Sequence, residues 1–294
     1  MRDNLLRVFY LLPVRVRLYV GFFWKLKYFP NFNNPVTFNE KVNYRKLYWT
    51  NNKFIDYSDK IKSKEIVGDI IGKQYIIPNI AVLDKLQISN LRNAIDSKNK
   101  IVVKCNHDSG NVFFLDENSN EDELKSVCNN INNLLKFDFG KKVHETWYSK
   151  IDRKVLIENN LNNLMDGDIL DYKFHVFNDN CNKVNPKIVL QVDFDRFGNH
   201  TRSYFSEELV YLPFSNDHAS IITAISPPLN YELMVSFAKR LSREFSYCRV
   251  DFYNIDGHIF FGELTFAHGS GFLQFNSKMF DEWKGKLWKG NIAN

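Results

Sequence analysis

The chain has 294 residues, 44% of them hydrophobic and 15% aromatic, with 39 basic against 34 acidic side chains and a net charge of +5. That length fits one large or two modest domains, and so many aromatics exclude a disordered chain. The basic excess is mild and spread except near the N-terminus, which argues against a dedicated nucleic-acid binder and fits weak attraction to anionic ligands or lipid.

Cys105, Cys128, Cys181 and Cys248 form no C-x-x-C pair. They read as free thiols of a reducing cytoplasm rather than a zinc or disulfide framework. No run of about 18 uncharged apolar residues offers a membrane span. Arg7, Arg15 and Arg17 interrupt the N-terminal apolar stretch, and no small-residue cleavage site follows it, so it does not read as a secretion signal.

Residues 4–29 alternate aliphatic and aromatic residues with Arg and Lys. Three readings are open: a segment lying in a membrane interface with its bases toward anionic headgroups, a basic arm on a partner, or an N-terminal helix packed on the protein's own core with its charges snorkelling. In PVTFNEKVNYRKLYW (35–49), Thr37 and Glu40 make a capping box and start a helix. A second helix is expected over 56–72, ending near Gly72. YIIPNIAVL (75–83) reads as a strand with an irregular entry at Pro78. IVVK (101–104), the small polar loop NHDSGN (106–111) and VFFL (112–115) read as strand, loop, strand. A helix is expected over 121–136, and strands over 154–158, 171–177 and 187–195. A helix over roughly 231–244 precedes two strands, 249–255 and 258–266, joined at Asp256-Gly257. Residues 279–290 read as a tail carrying Trp283 and Trp288.

A nucleoside triphosphate needs donors and cations around its phosphates, and carboxylates to hold its metal. Lys104 ends an apolar strand, and His107, Asp108, Ser109, Gly110 and Asn111 follow in a loop able to turn backbone N–H groups toward phosphate oxygens. No G-x-x-x-x-G-K-[ST] loop occurs, and a plain hairpin with a surface lysine fits as well. The hairpin RVDFYNIDGHIFFGELT is more specific. Arg249, Asp251 and Tyr253 share one strand face, as do Glu263 and Thr265. Once these strands pair, Asp251 and Glu263 converge, as a Mg²⁺ site with phosphate oxygens requires; without a cation, two opposed acids repel.

Weaker candidates each keep a bland alternative. Glu158 suits a ribose hydroxyl or the adenine amine, or is an edge-strand acid. Asp171, Lys173 and His175 share a face and can be a salt bridge alone. Asp193, Asp195 and Arg196 fit an anionic substrate or a surface turn. Trp147 and Tyr148 fit a sugar platform or core packing. His268 and the Gly269-Ser270-Gly271 loop either cover the reacting group or make an ordinary turn.

The order of PVTFNEKV (35–42), DK (59–60), QYIIP (74–78), IVVKCNHDSG (101–110), VLIEN (155–159), DYKFHVF (171–177), DFDR (193–196), RVDFY (249–253) and FFGELTF (260–266) resembles the TupA-like ATP-grasp proteins, a family linked to teichuronopeptide, capsule and O-antigen synthesis. The resemblance covers roughly residues 33–290, and RVDFY followed by FGELTF is its most specific part. It implies an α+β ATP-grasp fold in which two α+β subdomains clamp ATP. Residues 1–58 would be a helical, basic-aromatic segment, 59–157 the small subdomain with the phosphate loop, and 158–294 the C-terminal subdomain with the metal site.

It further implies ATP and Mg²⁺ as cofactors. Lys64 and Lys104 would lie on the phosphates, with His107, Ser109 and Gly110 covering them. Glu158 would lie at the adenine hinge, and Asp171 and Lys173 would face the nucleotide. Arg249 would stabilise the transferring phosphoryl group, with Lys104 and Arg196 as further catalytic candidates, and Asp251 and Glu263 would hold Mg²⁺. Trp147, Tyr148, Arg196 and His268 are the substrate candidates. Lys64 stands where the family often has Arg, Cys105 where Pro is common, and Thr265 where many ATP-grasp enzymes place an Asn metal ligand.

The expected reaction is ATP-dependent ligation of a carboxylate to an amine through an acyl phosphate, with no protein nucleophile. The expected partners are an amino acid and a uronic-acid-containing saccharide of a bacterial capsule or O-antigen. The expected place is the cytoplasm, with peripheral contact of residues 1–30 on the inner face of the plasma membrane and no nucleic acid. The alternative is a glycosyltransferase using Asp193-Phe194-Asp195 as a D-x-D pair.

Overall fold

The computed structural model describes residues 11–95, 100–164, 169–179, 182–195 and 198–294. Two antiparallel sheets organise them. The smaller contains β1 (Asn79–Leu83), β2 (Ile101–Cys105), β3 (Val112–Leu115) and β4 (Val155–Asn159) in the order β1-β4-β2-β3. The larger contains β5 (Asp171–Asp179), β6 (Asn182–Phe194), β7 (Thr201–Ser206), β8 (Tyr211–Leu212), β9 (Tyr247–Ile255) and β10 (His258–Thr265) in the order β10-β9-β5-β6-β7-β8. The helices are α1 (Val14–Leu26), α2 (Phe38–Tyr48), α3 (Lys53–Ser58), α4 (Lys60–Ile71), α5 (Ile88–Ile95), α6 (Glu121–Leu134), α7 (Phe139–Val143), α8 (Tyr231–Ser242) and α9 (Lys278–Leu287). The fold is α+β, as expected.

Local chemistry explains several boundaries. Thr37 caps α2: its hydroxyl accepts from the Glu40 N–H while the Glu40 carboxylate accepts from the Thr37 N–H, a complete capping box. The helix expected over 56–72 is two helices. Asp59 turns extended, with ψ 113°, and its Oδ1 caps α4 by accepting from Ile61 N at 2.9 Å. The strand expected over 75–83 shortens to β1, because Lys73–Tyr75 forms a 3₁₀ turn before Pro78. Asp256 and Gly257 both have positive φ, 49° and 89°, as a tight two-residue hairpin needs.

The expected tail is helix α9, with Trp288 fully buried beyond it. Gly285 admits this docking, since a Cβ there would lie 2.1 Å from Val36 O. Asp281 fastens it by accepting from Asn39 N, Asn39 Nδ2 and Tyr28 OH at 2.8–2.9 Å.

Each sheet has its own apolar core. The smaller gathers Ile101, Val103, Val155 and Ile157 with Leu91 from α5 and Leu124 and Ile131 from α6. The larger gathers Phe174, Val250, Phe252 and Phe266 with α8, and with Phe38, Phe54 and Val67 from α2, α3 and α4. Buried Arg45 ties α2 to that sheet through Tyr247 O at 2.8 Å and Phe266 O at 3.0 Å. Among the described residues no helix is long and apolar enough to cross a membrane, and Cys105, Cys128 and Cys248 are free thiols. Cys181 lies outside the described residues.

Candidate active site between the two sheets

A cleft of about 290 Å³ opens between the sheets. The small sheet supplies Val102, Lys104, Val112, Phe114 and Glu158; the large sheet supplies Asp171, Asp251, Tyr253, Gly262 and Glu263. Apolar walls and six charged side chains, Lys60, Lys104, Glu158, Asp171, Asp251 and Glu263, line the cleft together, as suits a charged small molecule. Asn159, the last residue of β4, and Asn160–Asn162 after it also line the cleft.

At the carboxylate end, β9 and β10 place Asp251 opposite Glu263, and a bulge at Gly262 lies between Phe261 and Glu263. A bulge re-aims side chains at a sheet edge. Arg249, two residues from Asp251 on the same face, donates from Nε to Asp251 Oδ1 at 2.7 Å and from Nη2 to Oδ2 at 2.6 Å. The same Nη2 donates to Glu263 Oε1 at 2.8 Å. Both carboxylates therefore converge on one donor. Burial raises the Asp251 carboxyl above its ordinary range; Arg249 and Lys173 oppose that, while Glu263 and Asp171 add to it. A dication there would relieve this burden, so Asp251 and Glu263 are the residues that could hold a metal. Thr265 Oγ1 donates to Glu263 Oε1 at 3.3 Å, which orients that carboxylate.

Lys173 lies beneath this pair. Its register opposite Asp251 and its ion pairs with Asp171, Asp251 (3.2 Å) and Asp193 (3.7 Å) bury it among three acids. Asp171 reaches the cleft lining and Lys173 does not. Asp193 accepts from Arg202 and, from Gln191, at 3.1 Å, while Asp195 turns left-handed and accepts from Asn199 N at 2.6 Å. The two D-x-D carboxylates are thus held by different partners. Arg196 lies outside the described residues.

At the cation end, Glu158 binds two lysines at once, Lys104 through Oε1 and Lys64 through Oε2. Burial alone would raise its carboxyl; Lys104 and then Lys64 outweigh that and hold it below its ordinary range. Glu158 is therefore engaged by cations rather than open toward an adenine amine. Lys64 also donates to Ile77 O at 2.9 Å and Asn79 Oδ1 at 2.7 Å and does not line the cleft.

Lys60 lines it instead, donating to Asp108 O in the loop after β2. Lys60 belongs to the DK motif at 59–60, from which no site role was read. Its place follows from the cap: Asp59 Oδ1 accepts from Asn106 Nδ2 at 2.9 Å, and Lys60 N donates to Asn106 O at 3.2 Å, so the start of α4 is pinned to the phosphate-loop candidate. The Asp-Lys pair at 59–60 was the available signal. Ser109 and Gly110 line the cleft, with Gly110 at φ 88°. His107 turns away, buried, with Nε2 3.3 Å from Phe137 O.

Two further expectations are corrected. Trp147 is fully buried against Trp49 and Phe54, and Tyr148 against Phe139, so both pack in the core and offer no sugar platform. His268 does not cover the cleft. It is buried beneath it, where Arg249 Nη1 donates to its Nδ1 at 2.6 Å. A guanidinium only donates, so Nδ1 accepts and the neutral ring carries its proton on Nε2. Burial first, then Arg249 and His175, holds this imidazole neutral, well below its ordinary range.

The profile of the TupA-like ATP-grasp family matches residues 40–289. No curated protein matches the chain. Among solved structures, D-alanine-D-alanine ligase from Helicobacter pylori aligns at 18% identity and TM-score 0.49, over 81% of this chain and 60% of that one. D-alanyl-alanine synthetase A from Vibrio cholerae aligns at 14% identity and TM-score 0.41, over 71% and 55%. D-alanine–D-alanine ligase from Bacillus anthracis aligns at 19% identity and TM-score 0.39, over 71% and 57%. The chain thus spans about three fifths or less of the ligases it aligns with.

Proposed function

Because the chain belongs to the TupA-like ATP-grasp family, we propose that it is an ATP-dependent ligase joining a carboxylate to an amine. The observation that carries the reading is the facing pair Asp251 and Glu263, bound by one guanidinium in a cleft that Lys60, Lys104 and the Ser109-Gly110 loop also line. The apolar walls Val102, Val112 and Phe114 suit an adenine ring. Asp251 and Glu263 would hold Mg²⁺, which supplies positive charge against the triphosphate.

In the reaction, a carboxylate oxygen of the first substrate attacks the γ-phosphorus and the bond to ADP breaks. Lys60 and Lys104 neutralise charge spreading over the phosphate oxygens, and Arg249 sits where the transferring group meets the carboxylates. The amine of the second substrate then attacks the acyl carbonyl, phosphate leaves, and the nitrogen gives up a proton. No side chain forms a covalent intermediate.

The substrate pair is proposed from the family's link to surface polysaccharides: a hexuronic acid as the carboxylate and an amino acid as the amine. A screen of amino acids against uronic-acid saccharides with Mg²⁺ and ATP, read by mass spectrometry, tests it. Expected is a product at the summed mass less one water, with ADP and phosphate. Turnover of a sugar nucleotide with no ATP consumed would instead establish the glycosyltransferase.

A further inference from the structure

Helix α1 is apolar on two opposite faces. Leu18 and Phe22 are buried, with Tyr19 and Leu26 beside them, against Phe32 and Phe272. That face satisfies a helix packed on its own protein. Val16, Val20 and Phe23 recur at helical spacing on the other side and are exposed, and Trp24 beside them is 74% exposed. Lys27 ends the helix in a left-handed cap. The chain turns there and brings Phe29, 72% exposed, onto Phe23 as a stacked pair with ring centroids 4.4 Å apart. Eight of the exposed large apolar side chains among the described residues fall within 11–29. Single exposed apolar residues need no explanation, but a contiguous patch does.

The charges around the patch are of one sign. Lys27 is exposed beside it, with Nζ 5.9 Å from the Trp24 ring, Lys25 is exposed in the last turn of the same helix, and residues 11–30 contain no acid. We propose that this face of α1 docks on an anionic lipid bilayer, with Phe23, Trp24 and Phe29 entering the acyl boundary and Lys25 and Lys27 on the headgroups. Aromatic rings beside lysines are the composition of an interfacial helix. A second copy on the same face would set these lysines against their own counterparts. Protein interfaces are also depleted in lysine.

Co-sedimentation of the full chain with phosphatidylcholine vesicles, with and without about a third phosphatidylglycerol, tests it. Expected is at least about tenfold stronger binding to the anionic vesicles, weakened by salt. Trp24→Glu and the pair Lys25→Glu, Lys27→Glu should each abolish it with the melting temperature unchanged, since these side chains face solvent. Brominated lipid should quench wild-type tryptophan fluorescence and fail to quench Trp24→Phe, a milder change that keeps the fold. Equal binding to both vesicle types would overturn the proposal. So would binding indifferent to Trp24→Glu, or a lipid-free dimer that Trp24→Glu dissociates.

Discussion

Asp251 and Glu263 face each other across β9 and β10, and Arg249 Nη2 reaches both, at 2.6 and 2.8 Å. The two acids differ in what else depends on them. Asp251 is buried and also neutralises Lys173, whereas the Glu263 side chain is 37% exposed. Glu263→Gln should therefore lower ATP turnover by roughly two to three orders of magnitude while leaving the melting temperature near wild type. The stabilisation that Mg-ATP gives the wild type, about 2.7 kcal/mol at a hundred times its Kd, should shrink in this variant. Thermal melts with and without Mg-ATP check both expectations.

Glu158 sits between Lys64 and Lys104, and all three are largely buried. Glu158→Gln leaves two buried ammonium groups without their anion, which should destabilise the fold by about 3–5 kcal/mol. The same carboxyl has a folded value below its unfolded one. Its stabilisation is complete above the unfolded value and is lost as pH falls through the folded value. Urea unfolding from neutral pH down to pH 3 should show wild type losing this contribution and Glu158→Gln having none to lose.

What could be read from the sequence was whatever rests on short-range chemistry. The Thr37 and Glu40 box and the Asp256-Gly257 turn are local, so α2 and the β9–β10 hairpin, with Asp251 opposite Glu263, were legible. Lys60 was not, because its place depends on a helix break at Asp59 and a contact to Asn106 some 47 positions away. Helix α9 was not, because its docking depends on contacts of Asp281 with Asn39 and of Gly285 with Val36, some 240 positions away in the chain. Trp147 illustrates a general ambiguity: an aromatic residue that stacks on a ligand and one that fills a core look alike until burial is known.

Lys60 and Lys64 lie one helical turn apart with different duties. Lys60 lines the cleft and holds Asp108 O, while Lys64 holds Glu158, Ile77 O and Asn79. A charged hydrogen bond contributes about 1.5–3 kcal/mol, so Lys60→Met should weaken ATP binding by about ten- to a hundredfold, beyond any stability lost with its bond to Asp108 O. Lys64→Met should mainly lower the melting temperature. Calorimetric titration with a non-hydrolysable ATP analogue separates the two.

His268 supports Arg249 from below in its neutral form. Its folded value lies below its unfolded one, so the unfolded imidazole takes up a proton below about pH 6.5 that the folded one refuses. Folding therefore loses up to about 1.4 kcal/mol per pH unit on this account as pH falls below that point. His268→Gln keeps an acceptor for Arg249 and removes the proton. The difference in unfolding free energy between wild type and variant should accordingly shift toward the variant between pH 7 and pH 5. An unchanged difference would mean that the ring is not held neutral.

The most direct measurement follows oxygen from the carboxylate. With an ¹⁸O-labelled uronic acid, an amino acid and Mg-ATP, ligation through an acyl phosphate should place one ¹⁸O in the released phosphate and none in ADP, and Glu263→Gln should lose the transfer together with ATP turnover. Amide product with unlabelled phosphate, or no ADP formed under any pairing of amino acid and uronic acid, would contradict a carboxylate activated on ATP in the cleft between Lys104 and Asp251.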